Sequence, residues 1–106
     1  LLPNQLSAKG EIVFVDITAD WCLTCQVNKV LVLETREVSE IFSKNNVKFL
    51  VLDWTKPNEN IKKFLNKKGR YGIPYNEVYG PSLPNGKILS ELLTIKEIQE
   101  YIKTAN

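Results

Sequence analysis

Cys22 and Cys25 are the only thiols in the chain, and two residues separate them. The apolar run Ile12-Val13-Phe14-Val15-Asp16-Ile17 ends just before them, and helical spacing begins at them. Both thiols therefore fall where a strand hands over to a helix. Unpaired N–H groups and the dipole at a helix N-terminus favour an anion. Cys22 is thus the candidate nucleophile, with a thiol pKa expected near the roughly 7 of such motifs. Cys25, one turn on, can attack Cys22 in a mixed disulfide and release the reduced partner. Two cysteines are too few for a disulfide framework. With no His in the chain, they are also too few for a closed four-ligand zinc site. Soft thiolate pairs do bind Cu(I) or zinc, so a metal-carrying or copper-tolerance module stays open as an alternative.

Other residues around the pair can carry chemistry. Asp16 stands alone among apolar neighbours. In a buried strand its carboxyl carries a raised pKa, and its charge would hold the Cys22 pKa up. The alternative is a surface Asp on an edge strand. Asp20 belongs either to the rim of the site or to plain solvent. Trp21 flanks the nucleophile and is expected to pack over the motif and limit solvent access. Tyr71 and Trp54 are further rim candidates, with ordinary packing favoured for Trp54.

The elements that must position these groups are legible in order. Residues 12–18 read as a strand buried on both faces, as in a central parallel strand. Val27, Val30 and Leu31 then give the apolar spacing of a helix. It restarts near residues 34–35, where Thr35 can cap a segment carrying Val38, Ile41 and Phe42. Asn45-Asn46 closes it. Residues 47–53 read as a second buried strand. Asn58 can cap a helix with Ile61, Phe64 and Leu65 on its apolar face, stopped by Gly69. Residues 75–79 read as a third strand. A Pro-rich bend over residues 80–84 and an Asn85-Gly86 turn lead into a strand over residues 87–92. Thr94 and Glu97 form a capping box, with Leu93 and Ile98 as its hydrophobic staple; Ile95, Ile98 and Ile102 continue the buried face. Residues 1–10 fit either an extended lead-in or a short helix. The order β-α-β-α-β-β-α predicts an α/β fold with a central mixed sheet flanked by helices.

The 106 residues suit a single domain, residues 1–106. A formal charge of +2 is too small to argue for a nucleic-acid partner. The charge is uneven: residues 44–70 carry +6 and the remainder −4. A solvated Lys-rich helix face accounts for that more simply than a docking patch. No apolar run reaches membrane-spanning length. The chain lacks Met and starts Leu1-Leu2-Pro3, so a piece excised from a larger membrane protein is expected.

The run Val15-Asp16-Ile17-Thr18-Ala19-Asp20-Trp21-Cys22-x-x-Cys25, with Gly72-Ile73-Pro74 before the third strand, resembles thioredoxin across the whole chain. Ala19-Asp20-Trp21-Cys22-Leu23-Thr24-Cys25 and Asp53-Trp54-Thr55 are more narrowly similar to the C-terminal domain of the DsbD family, membrane thiol:disulfide interchange proteins. The resemblance implies a thioredoxin-like fold and a protein-disulfide reductase with no cofactor or metal beyond the redox-active Cys22–Cys25 pair. It implies that Asp16 relays a proton to and from the resolving thiol. It also implies that Pro74 follows a cis bond facing the site, and that Ile73 offers its backbone to a bound peptide. Catalytic residues are then Cys22, Cys25, Asp16 and Pro74; substrate contacts are Trp21, Ile73 and Tyr71. Expected partners are the transmembrane and N-terminal domains of the same parent, in a periplasmic setting tethered to the inner membrane, with this domain monomeric. A stand-alone reductase for cytochrome c maturation is a further alternative. One position departs from the family pattern. Lys29 stands where that pattern often has a Glu that keeps the nucleophile's pKa high. A Lys facing the site would act the other way; a solvated helix Lys is the simpler reading.

Overall fold

The structure, a computed structural model, describes residues 10–106. The reading of residues 1–10 therefore falls almost wholly outside the described residues. Strand β1 (Ile12–Thr18) leads through a short loop into helix α1 (Leu23–Asn28), which widens into a π-helical turn over Lys29–Leu33. Helix α2 (Arg36–Lys44), strand β2 (Val47–Asp53), helix α3 (Glu59–Lys67), strands β3 (Tyr75–Gly80) and β4 (Leu83–Ile88), and helix α4 (Ile95–Ala105) follow. The sheet order is β2-β1-β3-β4; β1 and β2 are parallel, and the β1–β3 and β3–β4 pairs are antiparallel. This is the expected mixed sheet flanked by helices. None of the helices among the described residues is long and apolar enough to cross a membrane.

Strand β1 is central because alternate side chains feed two cores. Ile12 and Phe14 pack with Val32, Val38, Ile98 and Ile102 on the α2/α4 side. Val13, Val15 and Ile17 pack with Ile61 and Leu65 of α3 on the other. Each large side chain so buried contributes about 1.5–3 kcal/mol. The predicted caps of α2 and α3 form: Thr35 Oγ1 accepts from Val38 N at 3.3 Å, and Asn58 Oδ1 accepts from Ile61 N at 3.1 Å. Gly69 ends α3 with φ +71°, a conformation glycine adopts without strain.

Four expectations need correction. Strand β2 is an edge strand, with Phe49 and Val51 exposed, rather than a second buried one. Its apolar run has the length and composition of a central strand, and periodicity does not say which neighbour is missing. Val27, Val30 and Leu31 face solvent instead of the core. The inward face of the helix is Cys25, Asn28 and Val32. The polar Asn28 takes a buried place because its amide is fully used: Nδ2 donates to Glu91 O at 2.8 Å, and Oδ1 accepts from Leu93 N at 3.0 Å. At the end of α4's cap, Thr94 Oγ1 accepts from Glu97 N as expected, but the Glu97 carboxylate accepts from Ser90 N and Ser90 Oγ rather than closing a box.

The last correction concerns the β3–β4 hairpin. Its two-residue connection is Pro81-Ser82, with Gly80 paired to Leu83; Asn85-Gly86 lies within β4, where the register shifts. Gly86 has φ +82°, and a Cβ there would overlap the Glu77 carboxylate and stand 2.8 Å from Tyr79 Cζ. The Asn-Gly pair serves a bulge against a buried acid, not the turn. Gly86→Ala is therefore expected to lower unfolding free energy by about 1–3 kcal/mol, read from the denaturant midpoint.

Candidate active site

Cys22 is the N-cap of α1, with extended backbone angles, and its Sγ accepts a hydrogen bond from Cys25 N at 3.2 Å. The two cysteines are joined in a disulfide. The loop before them is tied back twice to one carbonyl: Cys22 N at 3.2 Å and Gln26 Nε2 at 3.0 Å both donate to Ala19 O. Ala19, Cys22 and Cys25 pack together, with Ile73 against them. Ile73 precedes Pro74 across a cis peptide bond. Helix N-terminus, thiol pair and proline loop therefore meet, although residues 22 and 74 are far apart in sequence. A pocket of about 230 Å³ opens beside this loop, lined by residues including Arg70, Tyr71, Ile73, Pro74 and Glu91.

Asp16 lies in β1 with its side chain on the parity of Phe14, only 8% exposed. Burial pushes its carboxyl above the usual aspartate range; the Asn76 amide, donating at 2.8 Å, and the Lys29 charge pull it part of the way back. The group is thus a buried acid able to hold or release a proton, near enough to the π-helical turn after α1 for the Lys29 charge to act on it. Lys29 itself is exposed, as the solvated reading has it, yet its charge reaches Asp16.

The rim differs from expectation in part. Trp21 is 63% exposed, so it does not lid the motif; Tyr71 is 83% exposed and lines the pocket. Trp54 packs against the Val13–Val15 core on the α3 side, the ordinary packing favoured for it. Asp20 is exposed, and its backbone N donates to Thr55 Oγ1 at 2.9 Å. Gln26 and Asn28 support the site and were missed by the sequence reading, which named Thr55 only within the Asp53-Trp54-Thr55 resemblance. The one available signal was Asn28, a polar residue at helical spacing from Cys25 and Val32.

The sign of the Asp16 effect follows from its raised pKa. The folded state prefers the neutral acid. That preference contributes stability below the unfolded aspartate range, and it is lost as pH rises through the folded pKa. Asp16→Asn should thus be more stable than the parent at neutral pH, with the difference vanishing in acid. Under the proton-relay role that the thioredoxin resemblance implies for Asp16, it should also slow attack by the second thiol by about 10²-fold, the usual worth of a positioned base. Paired urea melts and single-turnover kinetics at several pH values check both.

The arrangement is that of a thiol–disulfide exchange centre, and comparison with known proteins agrees. A family model described as Thioredoxin-like matches residues 4–81. Over 71 residues the chain is 35% identical to the thiol:disulfide interchange protein DsbD of Pseudomonas sp. (strain JR1 / K1), covering 67% of this chain but 11% of that protein. The DsbD C-terminal domain of Neisseria meningitidis superposes in its reduced form with a TM-score of 0.73 over 97% of this chain and 90% of that one. Its oxidised form gives 0.74 over 97% and 89%. Both are 19% identical to this chain, a likeness of fold. Because that family model matches residues 4–81, well over half of the sequence, the chain belongs to the thioredoxin-like family.

Proposed function

We propose that the chain is the electron-delivering module of a protein-disulfide reductase of the DsbD type. The observation that carries this reading is Cys22 at the N-cap of α1, bonded to Cys25 and packed against the residue before the cis proline. In the reduced protein, the Cys22 thiolate attacks one sulfur of a partner disulfide. A Cys22–partner bond forms, and the first partner sulfur leaves as a thiolate. Cys25 gives its proton to Asp16 and attacks Cys22 Sγ; the second partner sulfur leaves. Two electrons pass to the partner, its two thiolates take up two protons, and the Cys22–Cys25 disulfide remains. Ile73 offers its backbone to the partner peptide beside Pro74, and Trp21 and Tyr71 contact its side chains.

The partners in this reading are thiol–disulfide domains of one larger protein: a transmembrane domain that reduces Cys22–Cys25 and an N-terminal domain that receives the electrons. The setting is periplasmic, at the inner membrane. The similarity to a DsbD protein nine times longer than the matched segment supports this assignment. Insulin reduction with dithiothreitol as the regenerating dithiol tests it. Multiple turnovers are expected; tight stoichiometric Cu(I) binding with no turnover would overturn the reading in favour of a metal carrier.

A further inference from the structure

Helix α3 and strand β3 are joined by residues 69–74, the loop that carries Ile73 to the thiols. Gly69 N donates to Asn66 O at 3.0 Å and Arg70 N to Leu65 O at 2.9 Å, which fixes the start of the loop. Beyond Arg70, no backbone hydrogen bond ties residues 71–74 to other described residues. The place of Ile73 therefore depends on what holds the two flanks of the loop. Lys68 is the C-cap of α3, and Tyr75 is the first residue of β3. One carboxylate bonds to both. Glu77 lies two residues beyond Tyr75, on the same face of the strand. Its Oε1 accepts from Tyr75 OH at 2.7 Å, and its Oε2 accepts from Lys68 Nζ at 2.9 Å.

Glu77 is buried, in the space that Gly86 leaves beside it. Its salt bridge to Lys68 is therefore screened far less than an exposed pair would be. We propose that Glu77 is a positioning residue for the exchange reaction: it ties the end of α3 to the start of β3 and so holds Ile73 in place before a partner arrives. A partner polypeptide lying along the loop then meets an ordered backbone and loses less freedom on binding. A small disulfide that reaches Cys22 without touching the loop gains nothing from the clamp. The proposal rests on the reductase reading above and names the group that prepares its peptide contact.

Two variants cut one tether each. Tyr75→Phe removes the hydroxyl and keeps the ring against Phe64. The double variant Lys68→Met, Glu77→Gln removes the salt bridge without stranding a carboxylate, and the Gln oxygen can still accept from Tyr75 OH. Ile98→Val, in the core on the opposite face of the sheet, is the control for lost stability alone. Steady-state kinetics are read with insulin as the protein disulfide and 5,5′-dithiobis(2-nitrobenzoic acid) as the small one. Trypsin cleavage after Arg70 is read against cleavage at the other sites. Each tether variant is expected to raise KM for insulin about fivefold, with kcat and the small-disulfide rate within about twofold of the parent. Cleavage after Arg70 is expected to rise by a similar factor, because the loop then opens without global unfolding. Ile98→Val is expected to show neither change. Parent KM values in both tether variants would overturn the proposal, and so would an equal rise in Ile98→Val. A loss of kcat towards both disulfides would overturn it too, because Glu77 would then support the thiol centre itself. A parent protein that reduces neither disulfide removes the reductase reading instead, whereas unchanged cleavage after Arg70 in the tether variants removes the clamp.

Discussion

Cys22→Ser should abolish insulin reduction, a loss of at least about 10³-fold, because the one thiol left, Cys25, lies inside the first turn of α1 rather than at its N-cap. Cys25→Ser should behave differently. With Cys22 intact, attack on a partner disulfide still proceeds, but the resolving sulfur is gone. The expected product is a stable Cys22–partner mixed disulfide, seen as a covalent adduct on non-reducing gels and released by dithiothreitol. The asymmetry follows from the helix terminus. Cys22 is the N-cap and its sulfur receives the Cys25 N–H, whereas Cys25 lies inside the first turn with no such donor to its own sulfur among the described residues. Adduct formation through Cys25 in a Cys22→Ser protein would reverse the assignment of roles.

The second large effect is on stability, far from the thiols. Glu77 is 1% exposed in β3 and sits among Tyr75, Tyr79 and Lys68. Lys68 Nζ donates to Glu77 Oε2 at 2.9 Å and to Asn85 O at 2.8 Å, and lies 4.9 Å from the Tyr79 ring centroid. Tyr75 OH donates to Glu77 Oε1 at 2.7 Å. Burial first, and the Glu77 carboxylate second, push both phenols well above the ordinary tyrosine range. Lys68→Met would leave a buried carboxylate without its cation, which costs about 3–5 kcal/mol in such settings. Urea unfolding should show the lower midpoint, and adding Glu77→Gln to Lys68→Met should recover part of the loss, since the stranded charge is then gone. A Lys68→Met protein as stable as the parent would mean that Glu77 is compensated elsewhere.

These two results bear on how much a sequence of this kind discloses. The thiol pair, its helix and the strand before it were legible because their signals are local: cysteine spacing, a β-branched run, and the capping residues Thr35 and Asn58. The cis Ile73–Pro74 loop was placed by resemblance, since nothing local brings residue 73 against residue 22. What stayed hidden was long-range. Lys68 reads as one more solvated lysine until β3 puts Glu77 beside it. Asn85-Gly86 reads as a turn until Gly86 proves to be the gap into which the Glu77 carboxylate fits. The outward tilt of Val27, Val30 and Leu31 depends on Asn28 finding two backbone partners sixty-odd residues away. Strand β2 is apolar enough for a core, and only its place at the end of the sheet order exposes it.

Equilibration of the wild-type protein with glutathione redox buffers, with free thiols trapped by alkylation at each ratio, reads the Cys22–Cys25 couple most directly. A reductant working through that pair should give a single reversible two-electron transition with a midpoint more negative than the roughly −180 mV of protein disulfide isomerase. A midpoint near the roughly −120 mV of a strong periplasmic oxidant, or thiols that never close on each other, would contradict the account.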